Sequence, residues 1–149
     1  MISIHPAEAG DIPALARGMR PWDVRECAVF GFTPERALRY SLSGSLMGWT
    51  ARHDGEPIAM FGCAAVSLIE GTGRPWMLGT EAIYQQGRAL VRLAPGYVGQ
   101  MRERFPRMDN LLHQDNDRAL RLLRRLGFQI EPEARDVGGE PMVRFFSEP

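Results

Sequence analysis

Three carboxylates and one imidazole in this 149-residue chain are placed where acid–base chemistry could use them. Asp23 and Glu26 stand three apart, so a helix through them carries both on one face. Glu81 follows one short apolar run and His113 closes another, and a strand end presents such groups to a cleft. Each could take a proton from an attacking nucleophile, and imidazole titrates near neutrality. Gln86-Gly87-Arg88-Ala89 offers a different chemistry. A glycine at a helix start exposes backbone N–H groups to an anion, and Arg88 could touch a phosphate. Each feature also has a plainer reading. Glu81 could be a helix-start acid favoured by the macrodipole, and Asp23 and Glu26 a solvated face beside Arg20 and Arg25. His113 could be a strand-end histidine satisfied by a loop carbonyl. His5 and His53 bring no third ligand with them, and Cys27 and Cys63 match no metal or redox spacing, so no metal site is expected.

The elements that must hold these groups follow from periodicity. Met1 to His5 alternates weakly as a strand. Asp11-Ile-Pro then starts a helix whose buried stripe would be Ile12, Leu15, Ala16 and Met19, and Pro21 ends it. Asp23 to Val29 forms one turn or two. Thr33 caps a helix from Pro34 to about Ser43, with Ala37, Leu38 and Tyr40 inward. Leu46 to His53 and Ile58 to Ile69 read as a hairpin around a type I′ turn at Asp54-Gly55. Arg74 to Gly79 is a further strand. Glu81 to Phe105 is helical but broken at Pro95-Gly96, the second helix turning Tyr97, Val98, Met101 and Phe105 inward. Met108 to His113 is a strand and Met142 to Phe146 a last one, after a polar, turn-rich stretch from Glu131 to Gly139.

Between those last strands lies Asn116 to Phe128, NDRALRLLRRLGF. Ala119, Leu122, Leu123 and Leu126 form an amphipathic stripe, Asp115 or Asn116 caps its start, and Gly127 stands at C′. Arg118, Arg121, Arg124 and Arg125 lie opposite, as a solvated face or a grip for nucleic acid. Nucleic acid is the less favoured partner, because 18 basic and 18 acidic residues cancel and no aromatics interleave with the arginines. All the basic residues are arginine, so no lysine can form a Schiff base. No basic-then-apolar leader is visible, and the longest apolar run is too short to span a bilayer. With two isolated thiols, this leads to the expectation of a soluble, cytoplasmic, one-domain protein without a membrane segment. The order β, α, α, hairpin, β, α, β, α, β predicts an α/β (α+β) fold, a mixed sheet with helices on both faces.

That order and the Asn116–Phe128 segment resemble the Gcn5-related N-acetyltransferases, whose last motif reads N-x-x-A-x-x-l-Y-x-x-x-G-F. The resemblance implies that acetyl-CoA enters a V-shaped opening between two central strands. The fourth strand's backbone, Met77, Leu78, Gly79 and Thr80, would pair with the pantetheine. The start of the next helix, Gln86, Gly87, Arg88 and Ala89, would hold the pyrophosphate, with Asn116 also on the cofactor side. An amine-bearing acceptor completes the reaction. Leu123 stands where the family has the tyrosine that protonates the departing thiolate, and Tyr84 stands where its phosphate loop has Gln or Arg. These departures weaken catalysis without excluding it. RPWDVREC, SLSGSLMGWTARHDGEPIAMFG and RPWMLGT, with the stretch on to Phe128, also resemble the internal virion protein A family of short-tailed phages, over roughly Met19 to Phe128. Arg20, Asp23, Glu26 and Asn116 are the matching polar positions. The resemblance implies a virion or accessory protein, in host cytoplasm or virion interior and with other phage proteins as partners, that uses the acetyltransferase fold as a scaffold. The alternatives are an active acetyl-CoA-dependent N-acetyltransferase and a nucleic-acid-binding module.

Overall fold

A computed structural model describes all 149 residues. Eight strands form one sheet: β1 (Ile2–Pro6), β2 (Ser45–His53), β3 (Glu56–Ser67), β4 (Thr72–Gly79), β5 (Arg107–His113), β6 (Gln129–Ile130), β7 (Arg135–Val137) and β8 (Glu140–Ser147). Six helices flank it: α1 (Ile12–Arg17), α2 (Pro21–Val29), α3 (Pro34–Ser43), α4 (Ala82–Gln85), α5 (Gly87–Arg104) and α6 (Asp117–Arg125). The sheet order is β1-β2-β3-β4-β5-β8-β6, with β7 on β8. Every pairing is antiparallel except β4 with β5, which run parallel.

Strand alternation sends the two faces of the sheet to two cores. Cys63, Met108, Leu112 and Phe145 meet Val98 and Met101 of α5, Phe105 just past its end, and Leu120 of α6. On the other face Met60 packs with Ile12, Leu15 and Leu38 from α1 and α3. Sequence-local rules set most element ends. Asn116 caps α6 by accepting from the Ala119 N–H, Gly127 ends it at φ 91°, and Thr33 accepts from the Arg36 N–H at the start of α3. Asp54 and Gly55 both take positive φ, as a type I′ turn demands.

Five expectations need correction. Pro95 does not divide α5, which runs unbroken from Gly87 to Arg104. Pro95 and Gly96 are exposed, so the one missing backbone bond falls on the solvent side of a helix already held by Leu90, Val98 and Met101. Tyr40 is not inward: it is 63% exposed and stacks on Phe32 at 5.1 Å. β3 stops at Ser67, leaving Ile69 in the turn. In α6 the buried residue is Leu120, with Ala119, Leu123 and Leu126 packed around it. β6 and β7 lie in and beside the stretch read only as turns.

Candidate functional site

β4 and β5 separate soon after they meet. Their pairing is confined to Thr72–Arg107 and Gly73–Met108, at the start of both strands. Beyond that the Asn110 side chain crosses the gap and donates to the Pro75 carbonyl at 2.9 Å. Thr80 N–H points the other way, to Ile58 of β3, so by alternation Pro75, Met77 and Gly79 turn their backbone groups into the gap. A cavity of about 1190 Å³ passes through this opening. On one side it lies between α5 and α6, bounded by Leu90, Ala94, Tyr97, Ala119 and Leu123. On the other it reaches Asp23, Glu26 and Cys27 of α2, with Phe30, Tyr40 and Trp76 toward its rim.

Asp23 and Glu26 do share a helix face, but that face is not solvated. Asp23 is buried, and its Oδ2 accepts from Arg20 Nε at 2.7 Å and from the Gly79 N–H at 2.9 Å. Its Oδ1 has no hydrogen-bond partner, yet no fully buried side-chain polar atom lacks one, so Oδ1 retains open space beside it. Glu26 accepts from the His113 N–H at 2.9 Å through Oε2 and from Asn116 Nδ2 at 3.0 Å through Oε1. Burial pushes both carboxyls above the ordinary carboxylate range, against the lowering effect of Arg20 on Asp23 and of the His113 N–H on Glu26. The Cys27 thiol is driven up to about 12, by burial first and then by the two carboxylates. It stays protonated and is no nucleophile.

His113 is buried and lies outside the cavity lining. Its Nδ1 accepts from the Asp115 N–H, which leaves Nε2 as the donor to Glu140 at 2.6 Å, while Trp22 packs against the ring at 5.0 Å. The carboxylate partner, not a loop carbonyl, satisfies it. Glu140 also takes a two-pronged bond from Arg25, whose guanidinium together with His113 holds that carboxyl below its ordinary range. Neither Arg25 nor His113 announces Glu140 in the sequence, since the partners lie far apart in the chain. Glu81 is exposed ahead of α4 and also lies outside the cavity lining. Asn116 does line the cavity, but both ends of its amide are committed, one to Glu26 and one to capping α6.

At the start of α5, a recess of about 580 Å³ is bounded by Tyr84, Gln86, Gly87, Arg88, Ala89 and Arg92. The first backbone bond into α5 runs from Leu90 N–H to the Gln86 carbonyl. The N–H groups of Gly87, Arg88 and Ala89 therefore have no partner, and no side chain caps them. Gly87 has no positive φ, and a Cβ there would meet nothing within 4 Å. Neither backbone strain nor crowding asks for glycine at 87; the open amides do. Tyr84 lies beside this recess with Arg118 of α6 over its ring at 4.1 Å and Arg20 at 5.5 Å. Arg118 is thus part of the cleft wall as well as of the exposed helix face. Gly79 is closed off, its N–H held by Asp23 and its carbonyl by the Arg20 N–H, while Met77, Leu78 and Gly87 line the cavity. No three His, Cys, Asp or Glu side chains come together as a metal site, and no helix is long and apolar enough to cross a membrane.

No protein-family model matches the sequence, and no curated protein matches it by sequence. Solved structures do match by shape. The ribosomal-protein-S18-alanine N-acetyltransferase from Escherichia coli superposes with TM-score 0.68 at 15% identity, over 99% of this chain and 93% of that one. A chimeric spermidine N-acetyltransferase from Vibrio cholerae and hSSAT gives 0.70 at 12%, over 99% and 95%. An aminoglycoside acetyltransferase in complex with coenzyme A gives 0.65 at 16%, again over 99% and 95%. The splayed parallel pair, the flanking helices and the open start of α5 are together the acyl-CoA N-acetyltransferase (GNAT) fold, and this chain has it.

Proposed function

We propose that this protein is an acyl-CoA-dependent N-acyltransferase. The observation that carries the reading is that β4 and β5 part over a cavity that reaches Gly87 at the uncapped start of α5 and also the buried Asp23 and half-buried Glu26. The residues present fit acetyl-CoA, because an uncapped helix start with glycine open to solvent suits a diphosphate. Gly87, Arg88 and Ala89 would hold that group, and the Met77 backbone would pair with the pantetheine arm. The ligand supplies an acetyl group activated as a thioester.

The chain's own residues do the rest. Asp23 Oδ1 is free, faces the cavity and belongs to a carboxyl whose proton affinity burial has raised, so it accepts the proton of an amine acceptor. Arg20 and the Gly79 N–H fix its other oxygen. Glu26, tied to β5 and to the cap of α6, holds α2 against the cleft. The apolar lining limits water, which would otherwise hydrolyse the thioester. Packaging in a virion rests on the resemblance over Met19 to Phe128 alone.

Acetyl-CoA at millimolar concentration is expected to raise the melting temperature, and a panel of primary amines to release free thiol detectable with a chromogenic disulfide. A melting temperature that acetyl-CoA leaves unmoved would sink the proposal.

A further inference from the structure

On the α2 and α3 side of the sheet the cavity has a floor made by β4, β5 and β8, and alternation fixes what that floor presents. A Cβ on Gly73 would point at Phe105 on the α5 side, so Arg74 and Trp76 face the other way, and Trp76 packs with Leu38 and Met60. Met108, Val143 and Phe145 belong to the α5 core, so Asp109 and Arg144 share the face of Trp76.

One wall is aromatic. Asp23, Glu26 and Cys27 form a single stripe of α2, which Phe30 continues at the C-cap. Phe30 thus stands two turns from Asp23, about 10 Å along the helix. Phe32 stacks on Tyr40 of α3 at 5.1 Å, and Trp76 is fixed in place by its N–H donating to Ser45 Oγ at 2.7 Å. Phe30 is 49% and Tyr40 63% exposed, and two large rings left open on one cavity mark a contact site.

The charges on this side are already balanced. Four carboxylates, Asp23, Glu26, Asp109 and Glu131, face four guanidinium groups, Arg20, Arg74, Arg135 and Arg144. Arg144 donates to Asp109 at 2.8 Å and to Glu131 at 2.9 Å, with Arg135 at 3.5 Å from Glu131. Glu26 accepts from two N–H donors, and Arg20 neutralises Asp23. Arg74, on the same strand face as Trp76, makes no ion pair or side-chain hydrogen bond. No surplus negative charge is left to receive a second ammonium group.

Resting on the acyltransferase reading, we infer that the acceptor is an arylalkylamine: a single primary amine brought to Asp23 on a short arm, with an aromatic ring against the wall of Phe30, Tyr40 and Trp76. The same arrangement selects against polyamines, whose further ammonium groups would enter beside Arg74 with no free carboxylate to pair with.

The test compares 2-phenylethylamine, ethylamine and spermidine by thiol release at saturating acetyl-CoA, with rates referred to the free-amine concentration and the acetyl-CoA melting shift recorded in parallel. Burying the ring gives 2-phenylethylamine a kcat/KM about 30-fold above that of ethylamine, and spermidine lies well below 2-phenylethylamine. Phe30→Ala and Tyr40→Ala, both at exposed positions, each cut the phenylethylamine-to-ethylamine ratio about threefold to tenfold, chiefly through KM. A preference for spermidine, a ratio near one in the parent protein, or a ratio that neither variant moves overturns the arylalkylamine assignment and leaves the acyltransferase reading standing. A melting shift with acetyl-CoA but no thiol release from any of the amines likewise overturns the assignment alone. Neither shift nor release overturns both.

Discussion

Replacing Gly87 by alanine separates the needs of the fold from those of the site. A Cβ at this position meets nothing within 4 Å, and the residue has no positive φ, so the folded chain accepts it without strain. Alanine is the better helix former by about 0.5–1 kcal/mol in a helix interior, somewhat less in a first turn. The apo protein should therefore melt at the same temperature or about 1–3 °C higher. The same methyl group stands in the space through which an anion approaches the amides of Gly87, Arg88 and Ala89. Losing one charge-assisted hydrogen bond there costs about 1.5–3 kcal/mol, which weakens acetyl-CoA binding about 10- to 150-fold. The assay is differential scanning fluorimetry with and without acetyl-CoA. At a ligand concentration about 100 times the wild-type Kd the ligand adds about 2.7 kcal/mol, and in the variant about 1.4 kcal/mol or less. A variant that gains apo stability but keeps the full ligand-induced shift would refute the anion-site argument, since the ligand would then be held elsewhere.

Substitutions at two further positions probe the acceptor side and the sheet. Asp23→Ala leaves the Gly79 N–H and the Arg20 guanidinium without their acceptor and should cost about 3–5 kcal/mol in a urea titration. Asp23→Asn keeps one acceptor, should cost about 1.5 kcal/mol or less, and should still lower turnover about 100-fold. The pH dependence has a definite sign. Because burial raises the folded-state pKa of Asp23, its contribution is fully present below the ordinary carboxylate range and is lost as pH climbs through the raised value. Asp23→Asn should flatten that fall, measured as the midpoint of urea unfolding from pH 4 upward. Gly73→Ala should be among the most damaging single changes, about 3 kcal/mol or more, because its Cβ would lie 2.6 Å from both Cys63 Sγ and Phe105 Cγ. Recovery of a normally stable Gly73→Ala protein in thermal melts would contradict the close packing of β4 on α5.

The sequence carries the fold further than it carries the site, and the reason is the range of the interactions. Element ends are set locally: Asn116 needs only Ala119, Thr33 only Arg36, and Asp54-Gly55 only each other. Pro95 misleads for the complementary reason. A proline rule is local, whereas α5 is held across its length by the packing of Leu90, Val98 and Met101 on the sheet. The site depends on partners with no sequence proximity. Glu26 meets Asn116 across 90 positions, Arg25 meets Glu140 across 115, and nothing near Asp23 reveals that Gly79 will donate to it. The spacing of Asp23 and Glu26 was enough to place both on one face, but whether that face meets solvent or a cleft is decided by β4 and β5.

That same geometry explains why the two departures from the acetyltransferase pattern need not act together. Tyr84 lies beside the anion recess, where the open amides of α5 and the nearby arginines bring donors and positive charge of their own, so a glutamine or arginine at 84 is dispensable for holding an anion. Leu123 lies in the apolar wall of the cavity, where a leucine excludes water and has no proton to give. On the acyltransferase reading the two departures touch different steps, Tyr84 the holding of the cofactor and Leu123 the protonation of its thiol. Each can fail without the other: Gly87→Ala reports on holding the cofactor, and Asp23→Asn reports on turnover. A protein using this fold only as a scaffold has no reason to keep the amides of α5 open, so acetyl-CoA should then shift the melting temperature of neither the parent nor Gly87→Ala.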